Sequence, residues 1–518
     1  MKEKSLFKKG DKLDTHITDI GMNGEGIGKV DGYTLFVKDA VIGDKVSVSI
    51  MKAKANYAYA HLDEVLIPSE DRVTPVCPVA RSCGGCQLQA MSYEAQLKFK
   101  HGKVRNDLIR IGGFDEDFVD SVIQDIEGMT GEPVRYRGKS QFPVGRDRDG
   151  NIVTGFYAGH SHSIIPIDDC VTGAEEYAVI TRIIREHMKR YDIAPYDEVS
   201  GTGLVRHILI RKGFKTGEIM VCLILNRGES WNGMYLTGQD ELLEKLAAIK
   251  NMTSVSVNLN RTNTNVIMGE TTHTIWGSDV IHDVIEPVKK TDLHGPEDSS
   301  AGASDHKALT YSISPKSFYQ VNPVQTDRLY SLALEYAHLT GKETVWDLYC
   351  GIGTISLFLA TKAAHVYGVE IVPEAIRDAK DNASINGLDN VSFYTGRAED
   401  IVLSDGPDVF SAADEPSDDE HVAIRLPAPD VIVIDPPRKG CDEALLSTIL
   451  TASPARIVYV SCDPATLARD LKILCEGGYE LNKVTPVDMF PHSIHCETVT
   501  ELHRTDGTVS GYMKNNNA

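Results

Sequence analysis

From Tyr311 onward, short apolar runs alternate with longer amphipathic segments, and this rhythm restricts the last third of the chain to an open α/β sheet of the doubly wound kind. "ETVWDLYCGIGTISLFLA", residues 343–360, reads as a strand, a glycine turn and a helix. "HVYGVEIVPEAIRDAKDNA" adds a second strand that ends at Glu370. "VIVIDPPRKG", residues 431–440, is a strand that ends in Asp435 and a pair of prolines, and "IVYVSCDPATLARD", residues 457–470, stops at Cys462 before Asp-Pro and a helix. Ligands bind such sheets at the carboxyl ends of their strands, so Glu370, Asp435 and Cys462 are predicted to share one edge.

Gly351 and Gly353 let the backbone approach a ligand closely, and an acid about twenty residues later is placed to reach ribose hydroxyls. The glycine spacing is not that of a dinucleotide fingerprint. With Glu370 at that distance and "GRAED" after a third strand, the pattern points to a nucleoside cofactor rather than to a packing turn.

Lys9 to Val65 has a different texture: short alternating strands punctuated by glycine, predicting a small closed barrel of the oligonucleotide-binding sort. On pattern alone it is either an RNA-binding module or a scaffold. Between Cys77 and Thr310 strands and helices alternate less regularly, and "RYRGKSQFPVGR" and "GLVRHILIRKGFKTGEIMVCLIL" are strand-rich and basic. Arg135, Arg137, Lys139, Arg206 and Arg211 are candidates for phosphate contact there, or else they balance nearby acids. The expected domains are 1–69, 70–310 and 311–518, consistent with a chain of 518 residues, too long for one core.

Of the ten cysteines, Cys77, Cys83 and Cys86 fall in "CPVARSCGGC" and Cys170 in "IPIDDCV". Three thiols round a Gly-Gly turn, closed by a distant fourth, suit one metal centre. Ligand count does not separate zinc from an iron–sulfur cluster; a single short Cys-x-x-Cys arm favours the cluster.

The net charge of −21 speaks against a nucleic-acid partner if taken globally. Its distribution changes that. Residues 401–430 hold eight acids against Arg425 alone, and "SDGPDVFSAADEPSDDEH" reads as a solvated insertion, as does "TDLHGPEDSSAGASD" from Thr291. Residues 71–110 carry seven basic and three acidic side chains. With no apolar run of membrane length and no apolar centre in "MKEKSLFKKGDKLD", a cytoplasmic chain with no membrane partner is expected.

Taken together, "SFYQVNP", "DLYCGIGT", "VIDPPRKG", "YVSCDPATLARDL" and "FPHSIHCETV" resemble the RNA uracil-5-methyltransferases of the RumA and TrmA type, which use S-adenosylmethionine. The resemblance runs from the start, which looks like a TRAM domain, to about Leu502, and is nearest to the 23S ribosomal RNA branch that carries an iron–sulfur cluster. It implies a multidomain α/β fold: an OB-like TRAM β-barrel, a central α/β domain with a [4Fe-4S] cluster on the four cysteines Cys77, Cys83, Cys86 and Cys170, and a C-terminal Rossmann-like methyltransferase domain. It further implies cofactor contacts at Gln320, Tyr349, Glu370 and Asp435, a monomer, and ribosomal RNA as the favoured substrate with transfer RNA as the alternative. The family commonly has Asn where Asp463 stands and an aliphatic residue where Cys496 stands.

The implied chemistry gives Cys462 its task. Uracil C5 is too weak a nucleophile to take a methyl group from a sulfonium until a thiolate adds at C6. Cys462 is the implied nucleophile and Glu497 the implied base that removes the C5 proton. Cys350 and Cys441 match no reacting position, and His492 and His495 are as suited to packing or RNA contact as to a proton step. Two rival classes stand beside this reading. One is an amino-group methyltransferase, since "DPP" is similar to the turn that holds an exocyclic nitrogen, although Arg438 replaces its aromatic residue. The other is an RNA-binding or assembly factor with a decayed catalytic domain, against which intact Cys462 and Glu497 argue.

Overall fold

A computed structural model describes residues 5–159, 161–230, 232–288, 307–404 and 424–505. The acidic stretch expected as an insertion at 405–421 and the one at 291–305 lie outside the described residues. Among those described, no helix is long and apolar enough to cross a membrane.

The N-terminal strands β1 (Lys12–Ile20), β2 (Gly26–Val30), β3 (Tyr33–Val37), β4 (Lys45–Ala53) and β5 (Tyr57–Ile67) close into a barrel in the order β1-β2-β3-β5-β4. Alternation along each strand turns Ile17, Leu35, Val46, Val48, Ala58 and Ala60 inward to fill it. The small closed barrel predicted for this region is therefore present.

The central region is a sheet of β6 (Lys139–Arg146), β7 (Ile152–Tyr157), β8 (Ile164–Pro166), β9 (Val205–Lys212), β10 (Ile219–Leu225), β11 (Met252–Leu259) and β12 (Thr271–Gly277), ordered β12-β11-β10-β9-β6-β7-β8. Helices Glu176–Arg190 and Gln239–Ala247 bury apolar side chains against it, among them Ile180, Ile184, Leu242 and Leu246. β13 (Ile281–Ile285) pairs with β14 (Leu309–Ile313), which straddles the junction expected at 310.

The C-terminal sheet comprises β15 (Thr344–Leu348), β16 (His365–Glu370), β17 (Val391–Thr395), β20 (Val431–Ile434), β21 (Arg456–Ser461), β22 (Tyr479–Val487) and β23 (Glu497–Arg504), while β18 (Ile401–Leu403) and β19 (Ile424–Leu426) form a separate short pair. Its order is β17-β16-β15-β20-β21-β23-β22. The first five strands run parallel, and β23 lies antiparallel to β21. The central parallel strands β20 and β21 are buried on both faces and read as continuous apolar runs such as "VIVI", which is why they were legible without alternation.

Residues 93–127 join this C-terminal core. Val104, Leu108, Phe114, Val119 and Val122 pack with Trp346, Ile432, Tyr459 and Leu467, and Ile123 and Glu127 bridge to Val484 and Val487 of β22. Helix Tyr93–Asp107 is held by a fully buried ion pair between Lys100 and Asp488, and the Tyr93 hydroxyl donates to the same carboxylate at 2.8 Å. Burial of a lone carboxylate is costly, so Lys100→Met should destabilise the protein by about 3–5 kcal/mol. Chemical denaturation of both proteins at neutral pH checks this; an unchanged midpoint would mean that Asp488 is satisfied without the ammonium group.

Candidate active site

Strand register gathers the predicted residues. Leu348 of β15 pairs with Val369 of β16 and Ile434 of β20, so Tyr349, Glu370 and Asp435 follow in one row at the carboxyl edge. Ser461 of β21 pairs with Thr498 of β23, which sets Cys462 opposite Glu497. All the strand-end residues predicted to share an edge do so.

The turn after β15 is built for close approach. Tyr349, Gly351 and Gly353 take positive φ of 71°, 55° and 80°. A Cβ on Gly353 would lie 2.9 Å from the Phe393 ring, so only glycine fits, whereas a Cβ on Gly351 would meet open space. Glu370 accepts the Gly351 N–H at 3.3 Å and the Val372 N–H at 3.0 Å, which fixes its carboxylate beside the turn. Gln320 is buried just before helix Pro323–Tyr336, whose N-cap Asn322 also donates to the Met489 carbonyl at 3.1 Å. Beneath the turn lies Asp347, which sequence reasoning did not single out. It is buried, accepts from the Ser356 hydroxyl, and burial pushes its carboxyl up to about 7.

At the other half of the edge, Cys462 precedes helix Pro464–Glu476, whose N-cap Asp463 accepts the Ala465 and Thr466 N–H groups at 3.0 and 3.1 Å. Burial, then the Glu497 and Asp435 carboxylates, push the Cys462 thiol up to about 12; Arg438 pulls the other way. The expected chemistry calls for a site that favours the thiolate, whereas burial and two neighbouring acids favour the thiol. The same surroundings raise the acids. Glu497 is pushed up to about 8 by burial and by Asp435, and Asp435 to about 7 by burial and by Asp347. Carboxylates tuned to neutral pH are suited to proton transfer.

Cys77, Cys83, Cys86 and Cys170 line one cavity of about 330 Å³, and all four are free thiols. Gly84 packs against β7 so closely that a Cβ would sit 2.9 Å from the Tyr157 carbonyl oxygen, which lets the chain wrap round the cavity. Burial, with the neighbouring thiols, pushes Cys86 up to about 12, a state that metal ligation relieves. The donor set fits a thiolate-ligated centre. Arg438, Phe490, Pro491, Ser493 and His495 line the same cavity, which therefore adjoins the edge that carries Cys462.

The basic candidates divide. Arg206 and Arg211 are buried and donate to backbone carbonyls, Arg206 to Asn260 and Thr262 and Arg211 to Pro315 and Ser317, so both are structural and not phosphate contacts. Arg135 pairs with Asp169 at 2.6 Å. Lys139 is held down to about 7 by burial and by Arg211 and Arg137. A strand-rich basic stretch does not say which of its arginines are buried, and Arg206 and Arg211 both are.

Residues 301–505 match the family model described as tRNA (Uracil-5-)-methyltransferase, and residues 7–62 match the TRAM domain model. An uncharacterized RNA methyltransferase of Halalkalibacterium halodurans is 45% identical over 502 residues, covering 97% of this chain and 99% of that one. One from Listeria innocua is 43% identical over 500 residues, covering 96% and 99%. The chain belongs to the RNA (uracil-5-)-methyltransferase family. Its fold is that of the Pyrococcus abyssi tRNA (uracil-54, C5)-methyltransferase crystallised with S-adenosyl-L-homocysteine, at a TM-score of 0.67 and 24% identity over 95% of this chain and 100% of that one.

Within this member of the family Cys350 and Cys441 are enclosed. Burial raises Cys350 well above the ordinary thiol range, and Cys441 is pushed up to about 12 by burial, beside the Tyr459 hydroxyl. His492 is clamped by Gln96, whose Oε1 accepts its backbone N–H at 2.9 Å, and His495 is held down to about 4 by burial and by Arg438. Arg438 was noted in sequence only as a missing aromatic; its position directly after Asp-Pro-Pro was the available signal.

A carboxyl whose folded value lies above its ordinary 4.5 binds more protons in the native state than in the unfolded chain, so it lowers stability as pH rises. Wild type should therefore lose stability relative to Glu497→Gln between about pH 4.5 and pH 8. Parallel pH-dependent melts would refute the raised value if the two curves stay equally spaced.

Proposed function

We propose that this RNA methyltransferase methylates C5 of a uridine in 23S ribosomal RNA, with S-adenosylmethionine as methyl donor and a covalent adduct between Cys462 and uracil C6. The observation that carries the mechanism is Cys462 opposite Glu497 at the carboxyl edge, next to a glycine turn and Glu370. An exocyclic amine needs no such thiol, which disfavours the amino-group alternative.

S-adenosylmethionine supplies an electrophilic methyl group on its sulfonium. Gln320, Tyr349, Glu370 and Asp435 are the residues proposed to hold it, with Glu370 on the ribose hydroxyls. The Cys462 thiol gives its proton to the neighbouring Asp435 carboxylate, and this transfer removes one of the charges that raises the thiol. The thiolate forms an S–C6 bond and moves the pyrimidine electrons toward O4, which makes C5 nucleophilic toward the methyl. The Glu497 carboxylate takes the proton from methylated C5 and passes it to solvent, the one proton that the net reaction releases. The C6–S bond then breaks and Cys462 leaves as the thiolate.

Uracil C6 is hidden in a stacked helix, so the target base must be unpaired or flipped at a cost of a few kcal/mol. On the barrel, Phe36, Tyr57 and Tyr59 form an aromatic group with centroids 5.6–5.7 Å apart, and Tyr59 is exposed. Such a patch suits base stacking and supports RNA contact by the TRAM domain. The four-cysteine cavity supports the ribosomal assignment and is proposed to hold a [4Fe-4S] cluster on Cys77, Cys83, Cys86 and Cys170. Methyl transfer moves no net electrons, so the centre is assigned to shaping the adjoining segment from Phe490 to His495.

Methylation of RNA from a strain lacking the modification tests the assignment, with ribosomal and transfer RNA assayed separately. Cys462→Ala should abolish methylation, and Glu497→Gln should slow turnover by about 10²- to 10⁴-fold while a protein–RNA adduct accumulates. Full turnover by Cys462→Ala would sink the covalent mechanism, and methylation confined to transfer RNA would replace the substrate.

Protein purified without oxygen should contain about four irons and a matching amount of sulfide, the complement of a cubane held by four thiolates. Stoichiometric zinc with no iron in that preparation would assign the cavity to zinc.

A further inference from the structure

At the far end of β23 from Glu497, three metal-ligating side chains meet. His338 follows helix Pro323–Tyr336, and Glu501 and His503 are alternate residues of β23. Their ligand atoms all lie within 4.8 Å of one another. His338 Nε2 is 2.8 Å and His503 Nε2 2.6 Å from Glu501 Oε1.

Two features mark this as more than a surface ion pair. Glu501 is 2% exposed, and its second oxygen, Oε2, has no hydrogen-bond partner. An orphaned oxygen on a buried carboxylate is expensive unless a cation satisfies it. His503 Nε2 is close to Oε1 yet lacks hydrogen-bond alignment, so that nitrogen is unsatisfied too. Lys483, the cross-strand neighbour of Glu501, lies over the Tyr336 ring at 5.3 Å.

We infer that His338, Glu501 and His503 form a site for a divalent first-row transition ion, zinc above all, separate from the four-cysteine cavity. Two imidazoles and a carboxylate suit zinc, and the half-exposed histidines leave the fourth position to water. Zinc with ligands near 2.0 Å needs them roughly 3.3 Å apart in a tetrahedron, an opening that small turns of the imidazoles supply. The ion ties the end of helix Pro323–Tyr336 to β23. Glu497, Val499, Glu501 and His503 share one strand face, which puts the site roughly 13 Å along the strand from the proposed base. That distance gives it a structural role, a clip on the strand that carries Glu497.

Cobalt(II) separates the two metal centres, because thiolate ligation gives an intense charge-transfer absorption and a site of two imidazoles and one carboxylate does not. Full-length wild type, His338→Ala and His503→Ala should be titrated with cobalt(II) and, separately, melted with and without zinc(II). Wild type with its four-cysteine centre filled should bind one equivalent with ligand-field bands and no accompanying thiolate charge transfer, and zinc should raise its melting temperature. Both variants, altered at half-exposed positions and checked for native circular dichroism, should lose that equivalent and most of the zinc shift. If wild type and His338→Ala take up the same number of equivalents with the same spectra and the same melting shift, the site does not exist. Loss of the shift on substituting Cys86 instead would likewise overturn it.

Discussion

The site depends on one reversal of direction. In a wholly parallel sheet every strand start lies at the amino edge, so a residue that opens a strand could never face one that closes its neighbour. β23 runs antiparallel to β21, and its first residue, Glu497, is thereby set opposite Cys462, just past the last residue of β21. A slip of one residue in that pairing would turn Glu497 to the opposite face of the sheet. The flanking side chains enforce the register: Val499 packs in the core on one side of the sheet and Leu502 in the core on the other.

Burial then sets the electrostatics. Asp347 raises the proton affinity of Asp435, and Asp435 that of Glu497. The resulting carboxyls titrate near neutrality, where proton exchange is cheap in both directions. The thiol is correspondingly hard to ionise until a neighbouring charge is removed. Arg438 and the N-terminus of helix Pro464–Glu476 are the groups that oppose this, one by charge and one by the helix dipole.

The segment from Asp488 to Cys496 joins the catalytic sheet to the rest of the chain. Lys100 grips Asp488, Gln96 clamps His492, the Tyr136 hydroxyl donates to the Pro491 carbonyl at 3.0 Å, and the four-cysteine cavity abuts Phe490 to His495. Residues remote in sequence therefore converge on the few that precede Glu497. An opening of this segment would disturb Glu497 and the cysteine cavity together.

Much of this was legible in the sequence. Glycine turns, strand-end acids and the spacing of Cys77, Cys83 and Cys86 are local patterns, and period and turn chemistry place them without knowledge of the fold. The barrel, the glycine turn and the meeting of Glu370, Asp435 and Cys462 at one edge all followed from such patterns. Tertiary structure alone decided which way side chains face and what surrounds them. Arg206 and Arg211 stand in a basic strand whose sequence suits a phosphate-binding surface, yet both are buried on carbonyls, because an arginine's destination depends on the elements packed over its strand. Residues 93–127 belong to the catalytic core although their neighbours in sequence do not. The perturbed acidities of Cys462 and Glu497 likewise arise from burial and from charges brought together across the sheet, quantities that no stretch of sequence contains.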